Sequence, residues 1–155
     1  MGRNTAWQEG AILGLYNVDT TNPTSPVVTI SNRSKFIRQY TKFIRPGARR
    51  IGATGNSNFD PVAFINANGK YVVVVKASTG GSFSIQGLPA STYGIFYTTG
   101  DGVNVGQYDV NQPNIAIGAG QALNTSIPAA GVLTVYGKST TGNAPFSVWL
   151  PLIKK

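Results

Sequence analysis

The chain has 155 residues, 41% hydrophobic and only 12% charged, with a formal net charge of +8; its length suits one domain that buries roughly 70% of the surface its unfolded chain exposes. It contains no His and no Cys, which excludes the commonest general base, the Ser-His-Asp arrangement, disulfides, thiolate chemistry and the preferred ligands of zinc. No apolar run approaches the ~18 residues that span a bilayer, and no signal-peptide pattern opens the chain, so no membrane partner is expected.

In chain order, the apolar run Ala11–Tyr16 comes first, and Pro23 and Pro26 punctuate the segment after it. Val27–Ile30 is β-branched and short, as in a strand. Ser31 and Asn32 are candidate N-caps. Over Arg33–Ile44 the period becomes helical: Phe36, Ile37, Tyr40, Phe43 and Ile44 form one apolar stripe, with Lys35, Arg38, Lys42 and Arg45 opposite. Pro46-Gly47 stops the helix. Seven of the thirteen basic residues fall between Arg33 and Arg50. Such a stripe is either the solvated face of an amphipathic helix or a phosphate-binding row. Nucleic-acid proteins set stacking groups beside the row, whereas these aromatics lie on the opposite stripe, so no nucleic-acid partner is expected.

After Gly47 the pattern turns to strands. Ala48–Ala53 opens the series, and Val62–Ala67 with Lys70–Lys76 reads as a hairpin closed by Asn68-Gly69 in a type I′ turn. Tyr71–Val75 is apolar on both faces, as a central strand is. Ser82–Gln86, Ser91–Thr98, Asn104–Val110, Asn114–Ile117, Ala122–Ile127 and Val132–Gly137 come next, separated by Gly, Pro and Asn turns. This spacing predicts an all-β fold: an antiparallel β-sandwich, jelly-roll-like or Greek-key, with one N-terminal amphipathic helix. Ser139–Ala144 reads as a linker. In the tail from Phe146 to Lys155, Phe146, Val148 and Leu150 alternate, so the tail could add an edge strand that Pro151 would end.

The acids are Glu9, Asp19, Asp60, Asp101 and Asp109. A glycosidase needs two facing carboxylates, but Asp19, Asp60 and Asp101 stand in turn-forming contexts where Asp caps its own backbone. No catalytic residue and no cofactor are expected. No metal motif occurs, although oxygen ligands alone would suffice for a structural calcium.

Three stretches resemble the C-terminal β-sandwich of glycoside hydrolase family 30 and its relatives. Arg38–Ile51, with Tyr40-Thr41-Lys42-Phe43-Ile44-Arg45-Pro46-Gly47, is similar to the family's "YSKFIRPG" junction between barrel and sandwich. Val62-Ala63-Phe64 with Gly69–Val75 resembles the next two strands, and Ile127–Tyr136 resembles the closing strand. The resemblance implies a secreted polysaccharide-degrading parent acting on xylan or β-glucan, whose β/α barrel carries both catalytic glutamates. Neither glutamate has a counterpart here, and Glu9 receives no role. The expected organisation is a barrel-end remnant over 1–30, helix and junction over 31–47, sandwich over 48–138, and linker and tail over 139–155.

Two functions are consistent with this reading. One is a non-catalytic module that binds the polysaccharide; the other is a purely structural domain that steadies its parent catalytic barrel. Sugars stack on exposed aromatic rings, which makes Tyr93, Tyr97, Tyr108 and Trp149 the candidate carbohydrate-binding residues. Tyr93 and Tyr97 share one strand face with Ile95, about 13 Å apart, while Phe96 faces the other way. Trp7 reads as packing. Burying five large side chains is worth roughly 1.5–3 kcal/mol each, so the helix stripe is expected to dock on the sandwich or on a second chain, as in a homodimer through the N-terminal segment and helix.

Overall fold

The computed structural model describes residues 15–101 and 104–138. An antiparallel hairpin of β1 (Tyr16–Asp19) and β2 (Val27–Ile30) leads into the helix α1 (Asn32–Thr41). The later strands are β3 (Arg49–Ile51), β4 (Phe59–Ile65), β5 (Tyr71–Ala77), β6 (Gly81–Ile85), β7 (Ser91–Thr99), β8 (Val110–Ile117), β9 (Leu123–Ile127) and β10 (Gly131–Gly137). A six-stranded antiparallel sheet, in the order β3-β4-β5-β10-β7-β8, faces the two-stranded sheet β6-β9. This is the expected all-β sandwich with one helix among the described residues.

Tyr71–Val75 is apolar on both faces because the large sheet is covered twice. Val73 and Val75 join Ala63, Leu133, Val135, Leu123 and Ile127 in the core between the sheets. Val72 and Val74 face outward and receive Phe36, Tyr40, Phe43 and Ile44 of the helix and its C-terminal turn. The helix therefore docks on the sandwich, as its stripe required. Phe43 stacks on Tyr136 at 4.1 Å and meets Phe96 edge-on at 5.2 Å. Ser31 caps the helix by accepting from the Ser34 amide at 3.2 Å. Beyond its far end, Asn66 accepts from the Arg45 amide and donates to the Phe43 carbonyl, at 3.0 and 2.9 Å.

Several boundaries differ from expectation for local reasons. The β4–β5 turn is not type I′: the Gly69 amide donates to the Asn66 carbonyl at 2.8 Å, and Gly69 carries the turn's positive φ of 77°. Asn68 stays in the ordinary region, so a longer loop with a left-handed glycine closes the hairpin. Asn104–Val110 does not form a strand of its own. It folds back on Thr99, with the Gly106 amide donating to the Thr99 carbonyl and the Thr99 amide to the Gln107 carbonyl, each at 2.9 Å. Asp109, at φ 54°, breaks the extended path before β8 begins. β8 then runs through Pro113, because an edge strand that slips register between Tyr93 and Ile95 tolerates a missing amide. Asp60 lies within β4 rather than in a turn.

Candidate functional site

The structure sorts the predicted aromatic residues by burial. Tyr93 and Tyr97 share the inner face with Ile95, as their alternation required, but that face is the core: they are 1% and 6% exposed. Only their hydroxyls reach polar partners, Tyr93 donating to the Pro89 carbonyl at 2.8 Å and Tyr97 to Gln107 Oε1 at 2.7 Å. Burial pushes the Tyr93 hydroxyl well above its ordinary pKa. The expectation of open ring faces at Tyr93 and Tyr97 is corrected here, because alternation identifies residues on one face without saying which sheet covers it. Trp149, like Trp7 and Glu9, lies outside the described residues.

Tyr108 is half-buried in the loop before β8. Arg38 Nη1 donates to its hydroxyl at 3.0 Å, and Lys35 Nζ lies 5.2 Å from its ring centroid. Arg38 Nε also pairs with Asp109 Oδ2 at 3.1 Å. Lys42 Nζ sits 3.6 Å above the Phe96 ring, where burial lowers its pKa and the Asp109 charge partly opposes the drop. Lys35, Arg38 and Lys42 therefore turn onto β7 and the loop before β8 instead of forming a solvated row. Cation–π contact on one side and an ion pair on the other hold them there.

The helix also buries a residue the periodicity placed elsewhere. Gln39 is fully buried. With its amide oriented to satisfy the network, Nε2 donates to the Phe96 carbonyl and to Thr134 Oγ1 at 3.0 Å each, and Oε1 accepts from the Thr98 hydroxyl at 2.9 Å. Polar type at an inner position gave no signal, since hydrophobic periodicity assigns Gln to solvent.

One surface stands out. Every exposed large hydrophobic residue among those described lies between Leu15 and Ile37. The hairpin register places Tyr16, Val18, Val28 and Ile30 on one face of the β1–β2 ribbon, and they are 60%, 57%, 59% and 37% exposed. The Leu15 carbonyl accepts from the Ser31 amide at 3.1 Å and from the Ser34 hydroxyl at 2.6 Å, fixing the ribbon to the start of the helix. A ribbon this apolar and uncovered is the mark of an interaction surface.

The described carboxylates are dispersed. Asp19 accepts from the Thr21 hydroxyl and amide, which lower its pKa in that order. Asp101 caps Asn104, Asp60 lies on β4 and Asp109 holds Arg38. Among the described residues no group of His, Cys, Asp and Glu could hold a metal ion, and no helix is long and apolar enough to cross a membrane.

The fold is an antiparallel β-sandwich whose large sheet is covered on both faces, with one bare apolar ribbon among the described residues. The family model described as the glycosyl hydrolase family 30 beta sandwich domain matches residues 47–135, and the chain belongs to this family. Among solved structures, it is similar to a GH30 endoxylanase from Clostridium papyrosolvens C71, at 26% identity and a TM-score of 0.58 over 72% of this chain and 28% of that one. It is also similar to the catalytic domain of GH30 xylanase C from Talaromyces cellulolyticus, at 26% identity and a TM-score of 0.56 over 79% of this chain and 27% of that one. The chain thus spans less than a third of either protein. No curated protein matches it.

Proposed function

We propose that this chain is the non-catalytic side domain of a secreted family 30 glycosidase, and that it serves by docking on a catalytic β/α barrel through the β1–β2 ribbon. The observation that carries this reading is the confinement of exposed large side chains to residues 15–37, directly before the matched sandwich. Xylanase neighbours of which this chain covers only 28% and 27% leave room for a barrel as the missing cover. Fully burying Tyr16, Val18, Val28 and Ile30 would contribute roughly 1.5–3 kcal/mol each. The test is to mix the chain with a family 30 barrel produced without its own sandwich. The wild type should bind and raise the barrel's melting temperature, and Val18→Ser/Val28→Ser should do neither. A folded wild-type chain that leaves the barrel's melting unchanged would refute the reading. A second copy of the chain is the other cover for this face, through hairpin and helix, and would register as a dimer in light scattering.

Polysaccharide binding is the second reading, and Tyr108 supports it. Its ring is the predicted one that stays partly open in the described structure, beside exposed Gly106 and Gln107. Retention on insoluble xylan or β-glucan, lost in Tyr108→Ala with the fold intact, is the expected result; equal retention of both proteins would exclude it.

A further inference from the structure

Asn66 joins two parts of the fold. Its main chain closes the β4–β5 loop, the amide donating to the Lys70 carbonyl at 2.9 Å and the carbonyl accepting from the Gly69 amide at 2.8 Å. Asn66 is buried, and its side chain grips the chain leaving the helix, at the Arg45 amide and the Phe43 carbonyl. At the tip of the same loop stands Asn68-Gly69, the one place in the sequence where asparagine precedes glycine. Asn68 is exposed. Its Oδ1 accepts from the Lys70 amide at 3.1 Å, which turns Cγ toward the main chain that follows and polarises the side-chain carbonyl. Gly69 has no Cβ to shield its nitrogen, and its φ of 77° is one that glycine adopts without strain.

We propose that Asn68-Gly69 is a site of spontaneous modification, at which Asn68 cyclises and loses ammonia, and that its conversion to isoaspartate releases the helix end held by Asn66. The Gly69 nitrogen gives its proton to solvent base and bonds to Asn68 Cγ. The bond from Cγ to the side-chain nitrogen breaks, and that nitrogen leaves as ammonia with a proton from water. The ring is a succinimide. Water then opens it at either carbonyl, giving aspartate or isoaspartate at position 68, with no oxidation or reduction. The Gly69 amide must first let go of the Asn66 carbonyl, so the step proceeds from the loop's opened form. Each conversion lowers the net charge of +8 by one. Isoaspartate also routes the main chain through the side-chain methylene, which puts one more carbon between positions 68 and 69. That carbon shifts both Gly69 and Lys70 away from the main chain of Asn66. A loop loosened there no longer fixes the side chain that holds Arg45 and Phe43.

The test holds the folded full chain in mildly alkaline buffer and follows it by peptide mapping. Position 68 should convert before any other asparagine, and hydroxylamine should trap the ring by cutting the chain before Gly69. Asn68→Gln, whose longer side chain closes a ring far more slowly, should give neither signal. In urea the loop is open, and conversion should be faster than in the folded chain. The isoaspartyl fraction, separated by charge, is then compared with fresh protein by hydrogen exchange. Its Arg45 amide should exchange about tenfold faster, with the amides of β10 unchanged. Asn68→Asp carries the new charge on an ordinary backbone and should match fresh protein at Arg45. A folded chain that keeps position 68 intact while another asparagine converts would overturn the site. Arg45 exchange that is unchanged by isoaspartate, or equally fast in Asn68→Asp, would overturn its coupling to the helix.

Discussion

Gln39 and Thr134, ninety-five positions apart, meet between the helix and the large sheet, where the Thr134 hydroxyl donates to the Gln39 carbonyl at 2.8 Å and accepts from its side-chain amide at 3.0 Å. The pair is fully buried, so it fixes the helix's rotation on the sheet in a way that the apolar contacts alone do not.

Replacing one member should therefore cost more than replacing both. Gln39→Leu removes the side-chain amide's bonds to the Thr98 and Thr134 hydroxyls and to the Phe96 carbonyl, while Thr134 still donates to the main-chain carbonyl of residue 39, and should cost about 2–3 kcal/mol. Thr134→Val should cost about 1–2 kcal/mol. The double variant should be less destabilised than the sum by about 1 kcal/mol. Urea denaturation of the four proteins measures the cycle, and strict additivity would show that the two side chains act separately.

Phe43 is the principal apolar link between helix and sheet, stacked on Tyr136 and edge-on to Phe96. It is half-buried, so Phe43→Ala should cost about 2–3 kcal/mol, below the 3–5 of a fully buried ring. Ile37, at the edge of the same stripe but 39% exposed and outside the cluster that packs on the sheet, serves as the control: Ile37→Ala should stay within about 0.5 kcal/mol of the wild type. Thermal melts of both variants check the contrast.

The hairpin should behave oppositely to the core. Val18→Ser/Val28→Ser removes apolar surface that nothing covers in this chain, so stability should change by no more than about 0.5 kcal/mol. Binding of a hydrophobic dye and any self-association should fall together. Loss of several kcal/mol would show instead that the ribbon packs against this chain's own residues.

How far the sequence discloses all this depends on the signal. Strand alternation and turn glycines place β5, β7 and β10 to within a residue or so, because a one-residue slip would turn every side chain to the wrong face. The Phe36, Tyr40, Phe43 and Ile44 stripe gives the helix and its inner side. Other features rest on contacts distant in sequence. Which face of β7 is covered, and hence the burial of Tyr93 and Tyr97, depends on β6 and β9 crossing over it. The inward setting of Gln39 depends on two threonines from other strands. The return of Arg38 and Lys42 onto the sheet depends on Asp109, a left-handed residue in a segment that reads as a strand. The bare ribbon was legible only as the apolar run Ala11–Tyr16 and the strand Val27–Ile30, with no sign that the two pair and stay uncovered.

The buried tyrosines set the alkaline limit of the fold. Burial raises the Tyr93 hydroxyl well above 10.0, its ordinary value, with Tyr71 adding to the rise. Burial and then the Asp60 charge raise Tyr40 as well. Above about pH 10 the unfolded chain loses these protons while the folded chain keeps them, so the unfolded state binds fewer protons and stability falls as pH rises. Lys42, lowered by burial, works the other way. Its folded form deprotonates first, so it adds stability as pH climbs toward 10.5, but it is one group set against two. Urea midpoints should therefore be level near neutrality and decline above pH 10. Tyr93→Phe, which gives up the bond to Pro89 at a neutral-pH cost of about 1 kcal/mol, should flatten that decline. An unchanged alkaline slope in Tyr93→Phe would place the limiting ionisation elsewhere in the chain.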